Sequence, residues 1–364
     1  VTSSGCDSGW DSAGFRDRVQ AALTAFLDEQ AERLAPLGPD AARLVDEARA
    51  SVSGGKRFRA AFCYWGHLAV DPGAVERPED EAALVRACAS LELLHASALV
   101  HDDLMDASDT RRGRPATHRQ FESAHRQAGW RGDHEQYGAA AAILLGDLLL
   151  TWADELLRHC GLPAARVAPA LDVFDHCRSE VIAGQFLDVS VQARGAADVD
   201  AAMTVLRYKS AKYSIERPLH IGAALAGAGT RTMAELTAFG LPLGEAFQLR
   251  DDLLGVFGDP ATTGKPAGDD LIEGKRTVLV ALALDAADSE DARLLHESLG
   301  TDLAPDEVDR LRQVIDGSGA HAQVEGVIAE LAGRAVAALE RAELDRRACG
   351  VLRELASAAT DRAV

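Results

Sequence analysis

Hydrophobic positions in this chain recur with the helical period almost from end to end. Phe15, Val19, Leu23, Phe26 and Leu27 lie on one face of a first amphipathic helix. Residues 41–52 predict a second helix, closed by Ser53-Gly54-Gly55, and residues 58–70 a third. Residues 81–105 are apolar on nearly every face, the pattern of a helix buried all round, and so of a central one. Further long helices are predicted over 135–159, 164–192, 200–227 and 232–257. The polar stretch 106–114 and the Gly/Pro/Asp/Lys-rich stretch 258–274 read as loops, and helices resume at Arg276 and run to the end. There is no run of alternating β-branched residues and no repeat of fixed period. The expected fold class is all-α, a large helical bundle.

Composition points the same way. Of 364 residues, 47% are hydrophobic but only 5% aromatic. The abundant alanine and leucine lose little rotamer freedom in a helix. No Pro/Gly/Ser-rich linker divides the chain, so residues 13–364 are expected to form one domain. Residues 1–12 are expected to be a disordered tail, without the charged-then-apolar pattern of a signal peptide. No run of about twenty uncharged apolar residues predicts a membrane span. Cys6, Cys63, Cys88, Cys160, Cys177 and Cys349 are scattered, as expected of reduced core thiols in a cytoplasmic protein.

The net charge of −19 argues against nucleic-acid binding and against attraction to anionic lipid. An anionic ligand would have to be met locally, by clustered Arg and Lys or by metal ions.

Against that background two acidic clusters stand out: Asp102-Asp103-Leu104-Met105-Asp106 and Asp251-Asp252-Leu253-Leu254-Gly255. Both lie in long apolar runs, where an unpaired buried charge costs several kcal/mol, in round numbers about 3–5. Asp102 and Asp106 share a helical face, and Asp103 is rotated away by about a quarter turn. Two like charges on one face call for a shared cation. Hard carboxylate oxygens suit Mg²⁺, which combines one or two carboxylates with phosphate oxygens. A lone acidic pair at a helix end is usually a solvated cap; two clusters beside several basic patches are not explained that way.

The basic patches favour phosphate. Gly54-Gly55-Lys56-Arg57-Phe58-Arg59 is a glycine turn entering a helix, which offers backbone N–H groups with Lys56 and Arg59. Arg111-Arg112-Gly113 follows the first acidic cluster, and two guanidinium forks can bind diphosphate oxygens in pairs. Lys209 and Lys212 lie in an apolar helix, and Lys265 and Lys275 in the late glycine-rich stretch.

GGKRFRA at Gly54, LLHASALVHDDLMDASDTRRGRPATH, GQFLD at Gly184, YKSA at Tyr208 and FQLRDDLLGVFGDPATTGKPAGDDLIEGKRT together closely resemble the trans-isoprenyl diphosphate synthases, or polyprenyl synthetases, over residues 54–277. The resemblance implies an all-α homodimer built around a central cavity. It implies Mg²⁺, about three ions per active site, held by Asp102, Asp106 and Asp251 with Asp103, Asp252 and Asp188 assisting. An allylic diphosphate would meet Arg111, Lys209 and Lys265. Isopentenyl diphosphate would meet Gly55, Lys56, Arg59, His95 and Arg112, with Lys275 balancing charge. Three positions depart from the family pattern: Gly255 stands where Asp is usual, Ser210 where Thr is usual, and Ala60 where Pro is common.

The expected chemistry is ionisation, condensation and deprotonation, with Ser210, Gln248 and carbonyls near Lys209 stabilising an allylic cation. Ser97 and Ala98, one turn before Asp102, face the expected path of the growing chain, with Leu94 and Leu91 deeper and Trp152 at the floor. Small residues there favour geranylgeranyl diphosphate, with a longer polyprenyl product as the alternative. A class I terpene cyclase would carry an Asn/Ser/Glu metal motif in place of Asp251-Asp252. A non-catalytic subunit of a heteromeric synthase would be expected to lack one acidic cluster.

Overall fold

The computed structural model describes residues 10–195, 198–258 and 268–361. The helices are α1 (Ser12–Leu34), α2 (Pro39–Ser51), α3 (Phe58–Leu68), α4 (Pro78–Met105), α5 (Thr117–Ala128), α6 (His134–Arg158), α7 (Ala164–Arg194), α8 (Val199–Val205), α9 (Arg217–Leu225), α10 (Thr230–Phe257), α11 (Asp269–Ile272), α12 (Val278–Ala286), α13 (Ser289–Ser298), α14 (Pro305–Gly317), α15 (Ala320–Arg341) and α16 (Arg346–Thr360). An all-α architecture is therefore the finding as well as the expectation.

Local chemistry sets many of the boundaries. Asp11 caps α1 through Gly14 N at 2.8 Å, Asp133 caps α6 through Glu135 N at 2.8 Å, and Asp198 caps α8 through Ala201 N at 2.7 Å. Pro78 opens α4, where its missing N–H costs nothing. That helix packs against α1, α3 and α6. It is long and apolar enough to cross a membrane by length and composition, yet 78% of its most apolar window is buried inside the fold, the behaviour of a core helix. Two clusters of buried apolar side chains form the interior, one around α1, α3, α4, α6, α7 and α9, the other around α10 and α12–α15.

Four features differ from expectation. Trp10 packs edge-on against Trp65, with ring centroids 5.7 Å apart, and α1 begins at Ser12, so a loose tail does not extend to residues 10–12. Helix α5 occupies a stretch with few apolar residues, which periodicity could not pick out. Residues 106–114 contain the start of a tight hairpin, in which strand β1 (Thr110–Arg111) pairs with β2 (Arg114–Pro115). Its two turn residues, Arg112 and Gly113, have φ of 52° and 73°, the primed geometry that two-residue hairpins favour.

The fourth difference positions the site. The helix expected over 200–227 is interrupted by a π-helix, Leu206–Glu216. Such wide turns are rare and concentrate at functional sites. Two glycines let neighbouring backbones close on it. A Cβ on Gly184 of α7 would fall 2.4 Å from Lys209 N, and one on Gly244 of α10 would fall 2.4 Å from Ala211 O. Trp152, expected on the cavity floor, instead lies buried in the core with its ring edge-on to Phe26.

Candidate active site

A cavity of about 1460 Å³ opens between α3, α4, α6, α7, the π-helix and α10. Asp102 on α4 and Asp251 and Asp252 on α10 all line it, as do Lys209, Lys275, Arg111 and Arg112. Its remaining wall is largely apolar and includes Leu94, Ala98, Leu150, Val181 and Phe247.

Asp102 accepts hydrogen bonds from Gln185 Nε2 at 2.9 Å and Lys209 Nζ at 3.2 Å. Lys209 Nζ also reaches Asp188 at 2.5 Å. Burial acts to raise the Asp102 carboxyl, but Lys209, Lys275 and Arg111 prevail and hold it at about 2. Burial acts against the Lys209 ammonium, and Asp102 and Asp188 outweigh it, so the charged form is favoured. Asp106, one turn along, behaves differently. Burial and the charge on Asp102 push it up to about 6, against the pull of Lys275. Its Oδ2 is buried with no hydrogen-bond partner among the described residues, 3.6 Å from Lys275 Nζ.

Asp252 is buried and accepts from Gln248 Nε2 at 2.8 Å. Burial pushes it up to about 8 despite that bond, with Asp270 and Asp251 adding to the rise. Asp251 itself is exposed. Because Gln248 spends its amide N–H on Asp252, its amide oxygen remains as an acceptor at the cavity wall. Asp106 keeps a buried oxygen without a hydrogen bond, and burial with neighbouring carboxylates disfavours the ionised forms of Asp106 and Asp252, both of which a nearby divalent cation would relieve. The residues present fit a hard divalent ion.

Asp103 faces elsewhere, as the quarter-turn rotation requires. It is buried and holds Arg111 through Nε at 2.8 Å and through Nη2. The structure thus commits Asp103 to an arginine rather than to the face shared by Asp102 and Asp106. On the opposite side, Arg59 donates to Ser214 Oγ at 2.8 Å and lies over the Tyr213 ring, 4.3 Å from its centroid. His95 Nδ1 is 2.7 Å from Tyr213 Oη. Burial first, then Arg59, Arg112 and Arg111, keeps the His95 imidazole neutral. Lys56 is exposed on the rim, and Gly55 lies within reach of Arg112, whose Nη2 would be 3.6 Å from a Cβ at 55. Gly55, Lys56, Arg59, His95, Ser97, Ala98, Ser210 and Gln248 all line the same cavity; Lys265 lies outside the described residues.

Sequence reasoning passed over several residues. Arg57, with φ of 56°, is buried and paired with Glu92 at 2.9 Å and Gln20 at 2.7 Å, which fixes the turn that presents Lys56 and Arg59. Gln185 holds Asp102, and its signal was its place within the GQFLD motif. Tyr213 holds His95 across 118 positions of sequence, a separation that no local pattern reveals.

A pH dependence follows. Asp106 and Asp252 are raised, so these two carboxyls bind more protons in the native state than in the unfolded chain between about pH 4 and pH 8 and their contribution to stability falls with rising pH, whereas the lowered, buried imidazoles of His67, His95, His118 and His220 act in the opposite sense up to about pH 6.5. Without divalent cations, the melting temperature is expected to decline from about pH 7 to pH 8.5, where the imidazoles are neutral in both states and Asp252 still loses its proton. Asp102, held at about 2, contributes a constant amount there. Added Mg²⁺ with inorganic pyrophosphate should flatten the decline. A metal-free melting temperature that rises over this range would contradict the assignment.

Carboxylates from both clusters, guanidinium and ammonium groups and an apolar wall thus meet in one helical cavity. The family model described as polyprenyl synthetase matches residues 42–316, and the chain belongs to this family: it is a chain-elongating prenyltransferase. The geranylgeranyl pyrophosphate synthase of Corynebacterium glutamicum, solved with isoprenyl diphosphate and magnesium, is 41% identical with a TM-score of 0.94, covering 97% of this chain and 100% of that one. The geranylfarnesyl diphosphate synthase of Aeropyrum pernix is 34% identical over 66% of this chain and 71% of its own. The (2E,6E)-farnesyl diphosphate synthase of Mycobacterium tuberculosis H37Rv is 34% identical over 63% of this chain and 59% of its own.

Proposed function

We propose that this enzyme condenses isopentenyl diphosphate with an allylic diphosphate and releases geranylgeranyl diphosphate. One observation carries the reading: Asp102 of the early cluster, Asp251 and Asp252 of the late one and the basic set line a single cavity with an apolar wall. Asp102, Asp106 and Asp251 would hold Mg²⁺, about three ions in all, with Asp252 and Asp188 supporting. Bound there, the ions supply the positive charge that stabilises the departing diphosphate.

The chain's own groups do the rest. Arg111, fixed by Asp103, together with Lys209 and Lys275 binds the allylic diphosphate. Gly55, Lys56, Arg59, His95 and Arg112 hold isopentenyl diphosphate. The apolar wall excludes water from the allylic cation. The hydroxyl of Ser210 and the amide oxygen of Gln248 turn their dipoles toward it. The diphosphate released in the ionisation takes the proton lost after condensation; His95 is already committed to Tyr213. Small side chains at Ser97 and Ala98 favour a twenty-carbon product, and the same smallness supports a longer one as the second reading.

We also propose a cytoplasmic homodimer. The five described cysteines are free thiols, as a reducing compartment allows. Helices α6 and α7 expose Ile143, Leu144, Ile182, Phe186 and Leu187, with Phe186 70% accessible, and such a patch marks an interface. Ile143, Ile182 and Phe186 also border the cavity, so a second copy would close its open side. Phe186→Glu with Leu144→Glu should shift sedimentation from dimer to monomer; an unchanged sedimentation coefficient would exclude this face.

The overall reading is tested by incubating the protein with Mg²⁺, isopentenyl diphosphate and dimethylallyl, geranyl or farnesyl diphosphate, then sizing the dephosphorylated products. Twenty-carbon alcohol is expected, and absence of elongation from every starter would overturn the reading.

A further inference from the structure

Gly255 stands at the fifth position of the late cluster, where the family pattern has Asp. It follows Asp251 by four residues, as Asp106 follows Asp102, and so shares a face with it. A Cβ built on Gly255 would fall 1.9 Å from Asp270 Oδ2 and 2.5 Å from Asp270 Cγ. The Asp270 carboxylate therefore occupies the space that a side chain at this position would fill. It arrives from a different element, α11, and lines the same cavity with its side chain 13% exposed. Lys275 Nζ binds it at 3.2 Å, and the same ammonium is 2.5 Å from Glu273 and 3.6 Å from Asp106. One cationic group thus already links an oxygen of the early cluster to the carboxylate beside the late one.

We propose that Asp270 is the carboxylate that completes the late cluster, in the place left open by Gly255, and that it shares with Asp251 the cation of that rim. The inference rests on the diphosphate-and-cation reading of the cavity. Its physical basis is exchange of position. Removing a side chain at 255 vacates a volume next to Asp251, and an anionic oxygen from α11 fills it. A divalent ion prefers such hard oxygens and gains from each one already in place. Lys275 holds the Asp270 carboxylate close to Asp106 in the absence of the ion and balances its charge.

The test is Mn²⁺ titration in the presence of inorganic pyrophosphate, with free Mn²⁺ counted by electron paramagnetic resonance. Asp270→Asn is expected to weaken Mn²⁺ binding about tenfold or more, with its cation-free melting temperature close to that of the parent. Gly255→Asp alone collides with Asp270 and should also bind poorly. Gly255→Asp combined with Asp270→Ala returns a carboxylate to the vacated place without collision and should recover most of the affinity that Asp270→Ala loses. Unchanged Mn²⁺ affinity in Asp270→Asn, or a double variant no better than Asp270→Ala, overturns the inference. Asp251→Ala separates the two levels: if it loses Mn²⁺ affinity while Asp270→Asn does not, only this inference fails; if neither does, the cation reading of the cavity fails with it.

Discussion

Asp102→Ala is expected to lower turnover by at least about a thousandfold, and Asp251→Ala by a comparable factor. The size follows from what each carboxylate holds. Asp102 meets Gln185 at 2.9 Å and Lys209 at 3.2 Å, and it stays ionised at about 2 despite burial. Its removal takes a full negative charge from a cavity already crowded with Lys209, Lys275 and Arg111. Those groups would then bind diphosphate at least as tightly, so the expected signature is a collapsed kcat with KM little changed. Loss of about 4 kcal/mol of transition-state stabilisation corresponds to roughly a thousandfold in rate. Asp102→Asn keeps the shape and an oxygen for Gln185 but not the charge, and should be nearly as inactive. Steady-state release of pyrophosphate measures both, with melting curves to verify the fold. Near-normal turnover in either variant would sink the metal assignment.

The parts of this site that the sequence revealed are those encoded locally. Asp102 and Asp106 could be put on one face, and Asp103 off it, from helical geometry alone, and Asp103 indeed turns to Arg111. The long helices were legible because their apolar residues recur over many turns, α4 above all. What escaped was set by contacts distant in sequence or by backbone geometry with no compositional mark. The π-helix over Leu206–Glu216 carries the same residue types as the helices on either side; what accompanies it is the pair Gly184 and Gly244, placed against it by the fold. The partner of His95 lies on that element, and the partner of Asp102 lies on α7. Gly255 looked like a weakened motif until α11 brought Asp270 into the gap. Trp152 was expected to form part of the cavity floor, but its ring packs edge-on against Phe26 of α1 in the core.

Ala98→Phe is expected to shorten the main product by at least one five-carbon unit, from geranylgeranyl to farnesyl diphosphate or below. Ala98 is partly accessible and lines the cavity one turn before Asp102, with Leu94 a further turn away. A chain whose diphosphate is held at Asp102 must run past these positions to lengthen. A phenyl ring at 98 has open cavity to enter, so the fold should tolerate it while the path for the chain narrows. Ser97 lines the same cavity but is only 3% exposed, so Ser97→Phe would meet packed neighbours and cost stability, about 1–3 kcal/mol for overpacking. The contrast between neighbours separates a blocked path from general damage. Ala98→Phe should keep its melting temperature and its rate of first condensation and change only where elongation stops, whereas Ser97→Phe should lose stability as well. Mass spectrometry of the dephosphorylated products gives the answer. An unchanged product distribution from an active Ala98→Phe enzyme would mean that the growing chain leaves Asp102 along another wall of the cavity, with α6 and α7 at Leu150 and Val181 the next surface to block.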